Sequence, residues 1–282
     1  MMLEKVEAKT EMRAELRGVY AVWLREIKRY IRDRARLITA IFTPLIWLLL
    51  FGVGFGGLFQ QSGFNFIFFV FPGIVGQSIL FTSMFLGISV IYDKQFGFLK
   101  EMLVAPIRRI SVFSGKLFGG ATDAMIQGTI VLCLSFVLGI GIDPLVFLAC
   151  LPVMFLTAIT VLGLSLTIAS RLESMESFGL VMTFIVMPLF FSSGALFPLD
   201  TAPGWLQTLS YFNPLTYAVD ALRGLILGNT LITYNPITFW YDLIQTLLFG
   251  NNIFPIWLDI AVLGGFAVGL ILLGAFSFGM RK

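Results

Sequence analysis

Apolar positions along this chain come in long runs rather than at every second or fourth place. Six runs stand out, at about 38–59, 66–92, 117–140, 144–170, 177–197 and 256–280. A hydrocarbon core about 30 Å thick is crossed by about 20 apolar residues in a helix. Each run reaches that length, and length is what separates a membrane span from a buried helix of a water-soluble core. Proline and glycine interrupt several runs, as membrane helices tolerate.

Between the runs the pattern changes three times. Residues 18–37 read GVYAVWLREIKRYIRDRARL. At helical spacing, Val19, Val22, Trp23, Ile27, Tyr30 and Ile31 share one side, while Arg25, Lys28, Arg29, Arg32, Asp33 and Arg36 share the other. Arg34 is the exception on the apolar side. This predicts a helix lying in the membrane interface. It serves either as an anchor on anionic lipid or as a lever that moves with a partner. Residues 91–109 read IYDKQFGFLKEMLVAPIRR. On a helix over 94–104, Lys94, Gly97, Lys100 and Glu101 face one way and Phe96, Phe98, Leu99, Met102 and Leu103 the other. Pro106 ends it, and Arg108 and Arg109 follow at headgroup level. The expected product is a helix about 15 Å long between two spans. Its apolar side suits a groove on another protein; the alternative is a helix flat on lipid. In the third place, Pro198, Pro203 and Pro214 cut residues 198–255 into apolar pieces too short to span. Such pieces read as re-entrant or interfacial helices. They are expected to cap the outer end of a pathway, the alternative being a collar with a packing role.

Charge orients the spans. With six spans and the N-terminus inside, all of the 19 lysines and arginines except Arg223 fall on the cytoplasmic side. The excess of basic residues in cytoplasmic segments then places both termini there, and five or seven spans would destroy the asymmetry. Composition agrees: 12% of residues are charged, against about 25% in soluble domains. The expected architecture is an all-α membrane protein. Residues 1–37 form a cytoplasmic segment with an interfacial helix, and 38–282 a six-span domain. Within that domain, 92–116 is a cytoplasmic loop and 198–255 an external re-entrant segment.

The missing chemistry narrows function. Histidine is absent, which removes the commonest general base and metal ligand. No serine has a histidine to activate it. No G-x-x-x-x-G-K-[ST] phosphate loop occurs, so the chain is expected not to hydrolyse ATP. Neither a metal nor a nucleic acid is expected as a partner. The first apolar run starts too late for a secretory leader. Cys133 and Cys150 lie in apolar runs and are expected to be buried free thiols. Within the spans, Asp123 and Gln127, one turn apart, are candidate pathway residues; alternatively Asp123 is hydrated and pairs with Lys116. Asp259 is expected to be solvated at the outer interface. Glu173 and Glu176 sit in a short loop, either as a solvated turn or against a basic partner. The spans show neither an inverted repeat nor a channel's ring of polar groups.

Two segments carry a resemblance to a known family. YDKQFGFLKEMLVAPIRRISVFSGK resembles the first cytoplasmic loop of ABC-2 type transporter permeases, and SSGALFPLDTAPGWLQTLSYFNPLTYAVDALRGLILG resembles the region after their fifth span. The likeness is strongest to the daunorubicin-resistance and nodulation-factor exporters and covers nearly the whole chain in order. It implies two permease subunits, most simply a homodimer, paired with two copies of a separate ATPase. That ATPase, not this chain, would bind ATP and magnesium. On this chain it implies ATPase coupling at Phe98, Leu99, Glu101, Met102, Leu103 and Pro106, and a gate helix with Trp23 and Arg29. It also implies an external gate with Phe197, Pro198, Asn213, Pro214, Tyr217 and Arg223. The cargo implied is amphipathic and drug-like or lipid-linked, with a polysaccharide or lipo-oligosaccharide as the alternative. Residues 229–255 are longer than the subgroup's usual link to the last span. A channel or membrane scaffold is the reading from another class; it has no need of a docking helix at 94–109.

Overall fold

The computed structural model describes residues 2–59, 66–98, 108–199, 202–227 and 255–279. Among the described residues every regular element is an α-helix. The first, α1 (Met2–Arg32), is a single long helix that starts well before residue 18. It ends at Asp33, whose carboxylate accepts the N–H of Arg36 at 3.1 Å. That is an N-cap, and it starts α2 (Arg34–Phe59) as a separate helix. The joint between interfacial helix and first span therefore sits at residue 33, not 37.

The second apolar run forms α3 (Phe66–Phe85) and α4 (Ile88–Gln95), with a break at Leu86–Gly87. α5 (Arg109–Val137) begins eight residues before the third run. α6 (Pro144–Arg171) and α7 (Met175–Phe191) follow the fourth and fifth. α8 (Gly204–Tyr211) and α9 (Pro214–Leu227) are the short pieces that the prolines predicted, and α10 (Pro255–Gly279) is the last span. Among the described residues, five stretches are long and apolar enough to cross a membrane: Arg34–Gly52, Phe66–Gln95, Arg109–Val137, Pro144–Arg171 and Ile256–Ser277. The fifth apolar run falls short as a helix. Its last residues, from Ser192, turn back through Gly194, whose φ of +71° is one that glycine adopts without strain.

α3 is the central post. Val70, Phe71, Ile74, Val75, Ile79, Leu80 and Met84 are all fully buried, because α2, α5, α6, α7 and α9 pack around it. By contrast α2 and α10 turn large apolar side chains outward, among them Phe42, Leu49, Leu50, Leu272 and Phe276. In a bilayer this carries no penalty, since lipid tails are as apolar as leucine. Packing between spans rests instead on close fit at small residues. At Gly73 a side chain would strike the Ala195 carbonyl, so α3 and the turn after α7 touch backbone to backbone.

Candidate coupling and transport sites

The apolar side of α1 meets α5 rather than lipid alone. Val22, Glu26 and Tyr30 are buried there, one turn apart. A Cβ at Gly115 would lie 2.6 Å from Val22 Cβ, and one at Gly119 would lie 2.8 Å from Glu26 Cβ. These two glycines let the helices approach closely enough for buried charges to meet. Lys116, with no exposed surface, donates to Asp93 at 2.5 Å and to Glu26 at 3.0 Å. It also reaches Ser89 Oγ at 3.3 Å. Arg25 donates to the other Asp93 oxygen at 2.6 Å. Two cations and two carboxylates thus neutralise one another where α1, α4 and α5 meet. Lone buried charges are costly, so the four hold as a unit.

This cluster borders the expected docking segment. Asp93 lies just before residues 99–107, and Arg25 stands 5.4 Å over the ring of Phe98. Arg29, the expected gate-helix cation, lies 4.8 Å over Tyr92. Trp23 donates its indole N–H to Thr122 Oγ1 at 3.1 Å. On the far flank, Glu15 accepts the backbone N–H of Arg108 at 3.0 Å and the hydroxyl of Ser111. The Ser111 hydroxyl and the Arg108 N–H hold the Glu15 carboxyl below the usual carboxylate range. Glu15 therefore caps α5 from another helix. Residue by residue, α1 holds the described residues on both flanks of segment 99–107.

The expected helix over 94–104 is corrected at its start. α4 ends at Gln95, and Gly97 takes a φ of +80°, which turns the chain before Phe98. Lys94 does not line a docking face. It donates to the carbonyls of Ala169, Ser170 and Leu172 at 2.7, 2.9 and 3.2 Å, closing the C-terminus of α6 with a positive charge. Leu99, Glu101, Met102, Leu103 and Pro106 lie outside the described residues.

Asp123 and Gln127 come together with the start of α2. Gln127 Nε2 donates to the Ala40 carbonyl at 2.6 Å, and Asp123 faces Arg36 at 3.9 Å. The expected Asp123–Lys116 pair does not form: the two share a face of α5 but stand two turns, about 10 Å, apart, and Lys116 is taken up by Asp93 and Glu26. Arg36, Thr39, Trp47, Gln77, Phe81 and Gln127 line a cavity of about 260 Å³ between α2, α3 and α5.

At the other end, the proposed external residues meet in one cap. Asn213 donates to the Leu189 carbonyl at 2.6 Å and to Ser192 Oγ at 3.0 Å. Its own oxygen accepts the Leu215 N–H at 2.9 Å, and Pro214 takes the first helical place, so Asn-Pro starts α9. The Tyr217 hydroxyl donates to the Tyr211 carbonyl at 2.7 Å. Arg223, 8% exposed, donates to the Gly194 carbonyl at 2.8 Å and lies 4.1 Å over the Phe69 ring. Phe197 is half-buried against the core, and Pro198, half-buried as well, follows it in the same turn. Asp259 is not solvated: it is 2% exposed and shares a hydrogen bond with Asp220 of α9. Cys150 is buried as expected, whereas Cys133 is exposed; both are free.

Sequence reasoning missed the roles of Glu26, Asp93 and Lys116. A signal was present, since Glu26 falls on the apolar side of α1 in step with Val22 and Tyr30. Its partner Lys116, 90 positions away, was not legible from spacing.

A bundle whose described elements are all helices, five stretches of it long and apolar enough to cross a membrane, is the build of a membrane transport permease. The ABC-2 type transporter family model matches residues 17–227, and the chain belongs to that family. It is 35% identical over 200 residues to the putative transport permease ycf38 of Cyanophora paradoxa, covering 67% of each chain. It is 28% identical over 216 residues to nodulation protein J of Rhizobium leguminosarum bv. trifolii, covering 75% of this chain and 82% of that one. It is 26% identical over 212 residues to the inner membrane transport permease YadH of Escherichia coli strain K12, covering 74% and 82%.

Proposed function

We propose that this chain is the membrane-spanning subunit of an ATP-driven exporter. Two copies pair as a homodimer and engage two copies of a separate ATPase, which binds ATP and magnesium. Both termini lie in the cytoplasm, and the cargo is an amphipathic drug-like or lipid-linked molecule moved outward. The observation that carries this reading is the grip of α1 on both flanks of segment 99–107. A push on that segment is passed to α1 through the Asp93–Arg25 and Glu15–Arg108 contacts. From α1 it passes through the Asp33 joint to α2, whose Arg36 lines the cavity. Phe98, Leu99, Glu101, Met102, Leu103 and Pro106 form the docking surface in this scheme. The cap around Asn213 and Arg223 is the outer gate.

The test is association. A tagged chain, co-expressed with a phosphate-loop ATPase encoded beside it, is expected to retain that ATPase through purification and to stimulate its ATP hydrolysis. Leu99→Asp combined with Met102→Asp is expected to abolish both. A double variant that still binds and stimulates overturns the coupling assignment.

A further inference from the structure

The cavity between α2, α3 and α5 carries an unanswered polar group. Gln77 is 4% exposed, it lines the cavity, and its Oε1 has no hydrogen-bond partner among the described residues. A buried amide oxygen left without a donor costs free energy that a bound group would recover. The polar groups beside it lean the same way. Ser78 and Thr39 spend their hydroxyl hydrogens on the carbonyls of Ile74 and Arg36, so toward the cavity they offer oxygen. Opposite stands an aromatic wall. Trp47 stacks on Phe51 at 5.2 Å and meets Phe190 edge-on, and Phe81 meets the same Phe190.

These features select a ligand by chemistry. An ammonium group would donate to the oxygens, but the Arg36 guanidinium lines the same cavity and repels it. A phosphate would suit Arg36, yet it only accepts and leaves Gln77 Oε1 unmet. A hydroxyl both donates and accepts, so it satisfies the carboxamide turned either way. The size fits a headgroup rather than a whole amphipath, because drug-sized ligands fill about 300–1,000 Å³. We infer that this cavity binds the hydroxyl-bearing headgroup of an uncharged amphipath, with Gln77 as its polar anchor and Trp47 and Phe81 as its apolar wall. As a cargo site it rests on the exporter reading; as a binding site it does not.

The experiment reads binding alone, on the full chain in phosphatidylcholine nanodiscs. The probe is an alkyl glucoside with a photoreactive diazirine in its chain, used below its micellar concentration, and adducts are mapped by mass spectrometry. Saturable labelling of the α2 segment 36–47 and the α3 segment 77–85 is expected. Unlabelled octyl glucoside is expected to compete at about tenfold lower concentration than octyltrimethylammonium or octyl phosphate, the difference that one well-made hydrogen bond gives. Gln77→Met, close in volume, is expected to remove that preference without lowering the unfolding temperature. If the variant does not fold, the competition series on the unaltered chain decides. Non-saturable labelling, equal competition by the three amphipaths, or an unchanged Gln77→Met overturns the proposal. Failure of the exporter reading shows up separately, as a chain that binds the glucoside but retains no ATPase.

Discussion

Tyr30 shows how much a single atom decides on the α1–α5 seam. The residue is 1% exposed, its ring lies 4.9 Å under the Arg36 guanidinium, and its hydroxyl meets no partner among the described residues. Burial pushes that hydroxyl's pKa up, so it stays neutral and contributes only a desolvation cost. Tyr30→Phe keeps the ring and removes the cost. It is expected to raise stability by about 1 kcal/mol, seen as a higher unfolding temperature in detergent. The charges one turn earlier behave in the opposite way. Lys116→Met leaves Glu26 buried without its cation and is expected to cost about 3–5 kcal/mol. Adding Glu26→Gln to that variant is expected to cost less than the sum of the two single changes, because the second removes the charge that the first stranded. Strict additivity in this double-mutant cycle would mean that the two side chains do not interact.

At the scale of elements, the α1–α5 crossing depends on Gly115 more than on any apolar residue. Gly115→Leu forces side-chain atoms into Val22 and the Val19 carbonyl. Overpacking of this kind costs about 1–3 kcal/mol, and here it also pries Lys116 away from Glu26. The expected outcome is faster amide exchange over 12–32, with exchange across α6 and α10 unchanged; uniform loosening would count against a separable α1. Element existence was legible in the sequence because a bilayer demands long apolar runs, which single residues do not disguise. Element ends were not. The break at Gly97 and the turn at Gly194 each rest on one positive φ, which glycine permits but does not announce. Lys94 looked like part of an exposed face until the C-terminus of α6 arrived to use it. Among the site residues, Asn213 entered only through the family resemblance, although its bond to the Leu215 N–H is a near-neighbour contact. Those joined across the chain, such as Lys116 with Asp93 and Glu26, were not legible, because helical periodicity names a face and not its partner.

For the whole molecule, direction decides whether the clasped loop can receive work from an ATPase. Basic residues crowd α1, the flanks of segment 99–107 and the C-terminus of α6, while Arg223 is the one basic residue in the sequence between Arg171 and Arg281. Basic segments are retained on the cytoplasmic side, so the loop should face ATP and the cap should face outward. Two exposed positions report on this: Glu173 in the turn after α6, and Thr208 on α8. In a background with Cys133→Ser and Cys150→Ser, Thr208→Cys is expected to react with a membrane-impermeant maleimide in intact cells. Glu173→Cys is expected to react only once the membrane is opened. The reverse pattern would put the cap in the cytoplasm, where no pathway needs an outer lid, and the α1 clasp outside, where no ATPase could reach it. Labelling of both in intact cells would mean that the bundle inserts both ways, and then the charge asymmetry would not be setting its orientation.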